Sequence, residues 1–421
     1  MNLIPSFLEG GGVTGKLIRS IDWGQSPVGP VSSWPESLKA MVGMMLHSRH
    51  PMFLWWGSEL VQFYNDAYLP SFGRGKHPGA MGQRGVDCWQ EIWPIIWPQI
   101  DDVMARSRAS WNEDQLVPIF RNGRLEEVYW TYGYSPVFVE DGSVGGTMVV
   151  CTETTARVIA ERRLRALRAL GDLTAPLDEP AQVHAVASRA IATDTSDIPF
   201  ALFYVRETRG GQATLRAFHG VDAAIAAEVE AALRDRIDGC VRGDAPCAGP
   251  LDLSAVVGTP LSGGPWPEPA THAFIVEVRA AGRSAVDGAL VFGLSPRLPF
   301  DAGYREHLEH LAEQITLSLS RIEAFRVRSA VESERRNLLL QAPVATALLT
   351  GPMHRYELAN SVYRKMVRRD VVGKTYREAF PELVNSPLLA IIDHVYTSGE
   401  PFVTTELRVA LDQDGDGVLE D

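Results

Sequence analysis

The feature that most limits what this 421-residue chain can fold into is an internal repeat. Asn65-Asp66-Ala67-Tyr68 near the start returns as Asn360-Ser361-Val362-Tyr363 near the end. Each follows an apolar strand pair opened by a proline, Pro51 or Pro343, and each precedes a glycine that leads into a helix, Gly82 or Gly373. Ile100–Leu116 then aligns without gaps on Ile391–Leu407, and Asn122-Gly123-Arg124-Leu125-Glu126-Glu127 on Asp416-Gly417-Val418-Leu419-Glu420-Asp421. Asn65 to Gly123 is 58 residues and Asn360 to Gly417 is 57. Two copies of one unit around a long middle segment exclude a single core and predict about three domains. The first copy continues for two strands beyond Glu127, whereas the second stops at Asp421. A sheet lacking those strands would leave unpaired edges, so the repeat predicts a chain cut inside its last domain.

Local patterns place elements on this frame. Met52–Trp56 and Val61–Tyr64 read as paired strands around Gly57-Ser58, followed by helical stretches to about Ser107. Strands are expected at Gln115–Phe120, Glu127–Pro136 and Val144–Cys151, joined by Asn122-Gly123 and Asp141-Gly142, dipeptides that accept positive φ in tight hairpins. The first copy is thus an antiparallel sheet with helices inserted between its second and third strands. Ahead of it, Trp34-Pro35-Glu36 opens a leader helix with Leu38, Met41, Val42 and Met45 on one face. Residues 156–173 read as a short basic helix with a seam of Ala160, Leu164 and Leu167, stopped by Gly171 and followed by a Pro-rich linker at Pro176 and Pro180. The middle segment has strand-like runs at Ala201–Val205, Ala213–His219, Ala273–Val278 and Gly288–Gly293, a helix over 222–238 and a Gly/Pro-rich surface loop over 256–270.

A long helix starts at Asp301, a suitable N-cap, and continues until Pro343. Leu308, Leu311, Ile315, Ser318, Ile322 and Phe325 follow the 3-4 spacing of a coiled coil with one polar exception, which predicts a signalling-helix seam and a homodimer. The expected fold class is α+β: a leader at 1–50, a sheet domain at 51–155, a linker helix at 156–175, a second domain at 176–325, a long helix at 301–342 overlapping its exit, and a partial third domain at 343–421.

Composition excludes several functions. A net charge of −12 argues against nucleic acid, whose binders carry a basic face. Arg162, Arg163 and Arg165, with acidic neighbours, read as a solvated helix face. Cys88, Cys151, Cys240 and Cys247 form no Cys-x-x-Cys pair and are too few for a disulfide scaffold, which fits a reducing compartment. No apolar run approaches the ~20 residues of a membrane span and no signal peptide is visible, so a cytoplasmic location without membrane insertion is expected.

Residues 51–155 resemble a PAS domain, down to the closing Thr152-Glu153-Thr154-Thr155. With Asp22-Trp23, Pro27-Val28-Gly29-Pro30, Trp34-Pro35, Met52-Phe53-Leu54-Trp55-Trp56-Gly57, Tyr64-Asn65-Asp66-Ala67-Tyr68 and Trp89-Gln90-Glu91-Ile92-Trp93, the first 155 residues resemble the N-terminal PAS module of bacterial sensor and hybrid histidine kinases. Residues 176–325 resemble a GAF domain, with Gly288-Ala289-Leu290-Val291-Phe292-Gly293 and Pro299-Phe300-Asp301 as its last strand and exit; residues 331–421 resemble a second, incomplete PAS domain. The resemblance implies a sensory input module of a two-component phosphorelay, passing ligand or redox state through coiled-coil helices to a kinase core and response-regulator receiver domains. The alternatives are an input for a diguanylate cyclase or serine phosphatase, or a ligand-free dimerisation scaffold. The segment itself carries no catalytic triad, paired catalytic carboxylates or Walker loop; Ser262-Gly263-Gly264-Pro265 is too short to cradle phosphates.

No cofactor is required by the sequence. Gly85-Val86-Asp87-Cys88 approaches the flavin box Gly-x-Asn-Cys but carries Asp87, and Trp89-Gln90 follows. His394 stands where some PAS domains hold haem, beside Asp393. Asp197-Ile198-Pro199 is similar to a bilin motif but precedes a strand and lacks a Cys-His pair, and Cys240 and Cys247 read as loop thiols. Asp412, Asp414, Asp416 and Gly417 match the start of a calcium loop, yet the repeat puts them on a hairpin turn. The candidate ligand-binding residues are Tyr68, Trp89, Trp93, Trp111 and Trp130, which can line an apolar cavity for a small-molecule ligand or fill a small core.

Overall fold

The computed structural model describes residues 5–206, 211–242, 249–254, 257–278, 288–405, 407 and 409–411. The chain divides into two compact units, Met1–Ser320 and Arg321–Asp421. Both are α+β with antiparallel sheets. Among the described residues no helix is long and apolar enough to cross a membrane.

The first unit opens with helices α1 (Gly12–Ser20) and α2 (Glu36–His47). A helix leaves its first amides without intrahelical acceptors, and here a distant side chain supplies them: Asp66 accepts from the Val13 and Thr14 amides at 2.9 and 2.7 Å and from the Thr14 hydroxyl at 2.7 Å. Leu38, Val42 and Met45 of α2 are fully buried, and Trp23 stacks on Phe63 at 4.9 Å, so the leader shares one core with the sheet behind it.

That sheet has strands β1 (Met52–Trp56), β2 (Val61–Tyr64), β3 (Ser110–Leu116), β6 (Tyr129–Phe138) and β7 (Val144–Glu153) in the order β2-β1-β7-β6-β3. Helices α3 (Leu69–Phe72), α4 (Gly85–Cys88) and α5 (Trp93–Arg106) lie between its second and third strands, as expected. A small hairpin, β4 (Ile119–Arg121) with β5 (Arg124–Glu126), turns at Asn122-Gly123, where both residues have positive φ (55° and 84°), the backbone that this dipeptide favours.

A second five-stranded sheet has the order β10-β13-β14-β8-β9, from β8 (Ala201–Val205), β9 (Thr214–His219), β10 (Leu251–Asp252), β13 (His272–Val278) and β14 (Gly288–Gly293); β11 (Leu261–Gly263) and β12 (Trp266–Ala270) form a separate hairpin. Helix α8 (Ala223–Arg242) packs Ala226, Val229, Leu233 and Ile237 into its core with Leu202, Tyr204, Ile275 and Val291. Helix α7 (Pro180–Ile191) contacts β8 and β9. Pro180, expected to mark a linker, is instead the first helical residue, where the missing N–H costs nothing. Cys240 is not a loop thiol: it is buried in α8 and disulfide-bonded, against the reading of four reduced cysteines. Cys88 and Cys151 are free and buried. Cys247 lies outside the described residues.

Helix α6 (Thr155–Thr174) runs through Gly171 without stopping and buries Ala166, Leu170 and Thr174 rather than the expected Ala160-Leu164-Leu167 seam. Helix α9 (Ala302–Gln341) has 40 residues, about 60 Å. Asp301 caps it, accepting from the Tyr304 amide at 2.8 Å. The expected seam is reassigned: Leu308, Leu311, Ile315 and Ile322 are already buried within the chain, and only Phe325 is exposed, at 64%. The polar exception, Ser318, hydrogen-bonds the Thr174 hydroxyl of α6 at 2.9 Å, so this face serves helix packing inside one chain.

The second unit contains the paired strands β15 (Ala347–Thr350) and β16 (Arg355–Ala359), then α10 (Ser361–Val367), α11 (Tyr376–Ala379) and α12 (Pro387–Ser398). Its hydrogen bonds repeat those of the first copy. Asn65 accepts from the Met52 and Tyr68 amides and donates to the carbonyls of Met45, Ser48 and His50. Asn360 accepts from the Thr346 and Tyr363 amides and donates to the carbonyls of Ala342 and Val344. Gly82 and Gly373, both at positive φ, donate to Gln62 and Tyr356 carbonyls at 2.9 and 2.8 Å. The conserved spacing is therefore the spacing of one backbone-binding asparagine and one left-handed turn. The Asp412-Asp414-Asp416-Gly417 motif lies outside the described residues.

Candidate functional site

The first sheet and its helices enclose an aromatic cavity of about 50 Å³, lined by Phe53, Trp55, Tyr68, Trp89, Trp130 and Tyr134 among others. Strand parity explains which candidates reach it. Trp130 on β6, between β7 and the edge strand β3, faces inward and lies nearly parallel to Tyr68 at 6.5 Å; Trp89 stacks on Phe72 at 5.5 Å. Trp111 is on edge strand β3, pairs with Gly133 and points outward, 65% exposed. Trp93 opens α5 and stacks on Trp97 at 5.7 Å, while Ile92, Ile96, Ile100 and Val103 make the buried face. Tyr68, Trp89 and Trp130 therefore come together, and Trp93 and Trp111 do not.

The volume is about a third of the ~150 Å³ needed to hold benzene, so the aromatic residues chiefly fill the core. The Trp89 indole donates to Gln62 at 3.2 Å, but the Trp55 and Trp130 indole N–H groups meet no protein acceptor. The enclosure thus suits a few heavy atoms that accept hydrogen bonds. Burial pushes the Tyr68 hydroxyl well above its ordinary range and the Cys151 thiol, also on the lining, up to about 12; both stay protonated at neutral pH. Cys88 is shielded at the short helix α4, and burial raises its thiol too. His394 is exposed on α12, and its neighbour Asp393 pairs with His354 at 2.5 Å.

A second constellation joins the two sheets of the first unit. Arg162 of α6 reaches Glu127, in the short link between β5 and β6, at 2.6 Å, and on its other side contacts Asp197 and approaches Asp194 at 3.3 Å. The carboxylates of Glu127 and Asp197 are fully buried. Arg163 binds Asp197 at 2.6 Å and lies 4.6 Å over the Tyr304 ring; Tyr304 donates its hydroxyl hydrogen to the Asp197 carbonyl. Burial, then the neighbouring Asp197 carboxylate, raises Asp194 to about 6. The Glu127 amide donates to the Arg297 carbonyl at 3.1 Å, and Arg297 grips Glu268 at 2.9 Å.

Beside this network is a cleft of about 550 Å³, within the usual ligand-pocket range. Ile159, Leu164 and Leu298 give it an apolar side; Arg121, His307 and His310 give it a polar one. Sequence reasoning missed the network. Arg162 and Arg163, expected on a solvated face, each have a side chain only 16% exposed. The available signal was two adjacent arginines in a helix and the pair Asp194-x-x-Asp197 ahead of the apolar run Ile198–Val205.

No protein-family model matches the chain. Solved structures similar to parts of it include the GAF domain from an Acinetobacter phosphoenolpyruvate-protein phosphotransferase (14% identity, TM-score 0.28, covering 39% of this chain and 95% of that one) and a sensory box sensor histidine kinase from Vibrio cholerae (13% identity, TM-score 0.22, covering 28% and 92%).

Proposed function

We propose that this chain is a sensory input module, the PAS–GAF–PAS region of a two-component histidine kinase, in which the state of the first sheet's cavity reaches the long helix α9 through α6. The observation that carries the reading is Arg162. One guanidinium on the helix that leaves β7 binds the approach to the first sheet's β6 at Glu127 and the approach to the second sheet at Asp194 and Asp197. A buried ion pair has discrete geometries, so a shift of β6 is passed on or broken rather than absorbed.

The output in this reading is a homodimer, on a different face of α9 from the expected seam. Leu317, Ala324, Val331 and Leu338 recur every seventh residue and are exposed. A parallel second copy would place like residues together.

Hydrogen exchange on the full chain tests the relay. Substituting Trp130→Leu is expected to change protection in Thr155–Thr174 and in the first turns of α9 as well as in the sheet. Changes confined to residues 51–153 would refute it.

A further inference from the structure

We propose that Asp194, Asp197 and His307 form a binding site for a divalent transition-metal cation, zinc foremost, in the first unit. One donor atom from each lies within 4.8 Å of the others, and all three residues are buried. A tetrahedral ion ~2.1 Å from each donor holds them ~3.4 Å apart, so a pair at the 4.8 Å limit would close by about 1.4 Å through side-chain rotation on binding.

The donor chemistry supports a ligand. His307 is 4% exposed, and neither ring nitrogen meets a hydrogen-bonding partner in the protein; the Asp194 Oδ2 atom also has none. Buried polar groups are nearly always satisfied, and leaving one unmet costs about 1–3 kcal/mol. Here two such groups, the His307 imidazole and the Asp194 carboxylate, lie side by side. Asp197 already accepts from Arg162 and Arg163, but each carboxylate oxygen keeps a second lone pair. The charge balance points the same way: among the described residues Glu127, Asp194 and Asp197 pair with Arg162 and Arg163, three carboxylates against two guanidinium groups. Imidazole with carboxylate oxygen is a donor set that zinc accepts. His307 also lines the 550 Å³ cleft, which brings that cleft against one side of the site. A bound ion would tie the 194–197 segment to the first turns of α9, independently of whether the first-sheet cavity senses anything.

The test is zinc titration of the metal-stripped full chain at neutral pH, followed by calorimetry and by metal analysis after gel filtration. One equivalent is expected, with affinity roughly 100-fold lower in Asp194→Asn and in His307→Gln. X-ray absorption on the zinc-loaded wild type needs no variant: one imidazole with oxygen ligands is expected. No stoichiometric uptake, unchanged affinity in the double variant, or a zinc shell with sulfur or two or more imidazoles would overturn the assignment.

Discussion

Replacing Arg162 with methionine tests the junction most directly, because methionine keeps an unbranched apolar stem and removes only the charge. In Arg162→Met, Glu127 loses its contacts at 2.6 and 3.3 Å and, among the described residues, keeps the Tyr129 hydroxyl at 2.8 Å. Asp194 loses its sole ion pair among the described residues, while Asp197 retains Arg163 at 2.6 Å. Two buried carboxylates are stranded. Removing one partner of a buried pair costs about 3–5 kcal/mol, mostly the penalty of the abandoned charge. The double variant Glu127→Gln, Arg162→Met removes one stranded charge and should recover at least about 1 kcal/mol. Urea unfolding followed by two probes reads both effects. Nine of the ten tryptophans lie in the first 130 residues, so fluorescence reports chiefly the first sheet, whereas far-ultraviolet circular dichroism reports the whole chain. The substitution should lower the fluorescence midpoint and separate it from the dichroism transition. A loss under about 1 kcal/mol, or a double variant no more stable than the single, would refute the claim that Arg162 holds the two sheets together.

Four further outcomes follow from the same geometry. Asn65→Ala removes five hydrogen bonds to backbone groups and should cost roughly 3–5 kcal/mol by calorimetry, and Asn65→Asp, which turns a second oxygen toward three carbonyls, should cost no less. Trp130→Ala should cost about 3–5 kcal/mol and Trp111→Ala less than about 0.5 kcal/mol, since one ring is buried and the other is not. Cys151, held near 12 by burial and then by Glu153, should resist iodoacetamide near pH 8 in the folded chain and react once urea exposes it, as read by mass spectrometry. Burial lowers His219 from 6.5 to about 4. The folded state then binds its proton more weakly than the unfolded state, so this contribution is complete above pH ~6.5 and is lost as pH falls toward 4. The loss is at most about 3 kcal/mol, and His219→Phe should flatten that part of the stability profile.

What the sequence determined by itself is whatever short-range chemistry decides. Asn65 and Asn360 were legible because an asparagine that binds backbone within 20 residues must keep its spacing to the strand before it and the turn after it. Asn122-Gly123 announced a hairpin through its tolerance of positive φ, and Asp301 a helix start through its carboxylate. The order of strands and inserted helices followed from these local signals, and with it the α+β class. Only the tertiary structure decided which charges are buried and which apolar faces are spent. Arg162 meets Glu127 and Asp197 across 35 residues in each direction, and nothing near it in sequence separates it from exposed Arg165. Ser318 looked like a flaw in a dimer seam until Thr174, 144 residues away, supplied its partner. Trp111 and Trp130 have the same composition and the same strand propensity, yet one lies on an edge facing water and the other over a closed core. Burial belongs to pairs of segments, and its free energy appears only when both are in place.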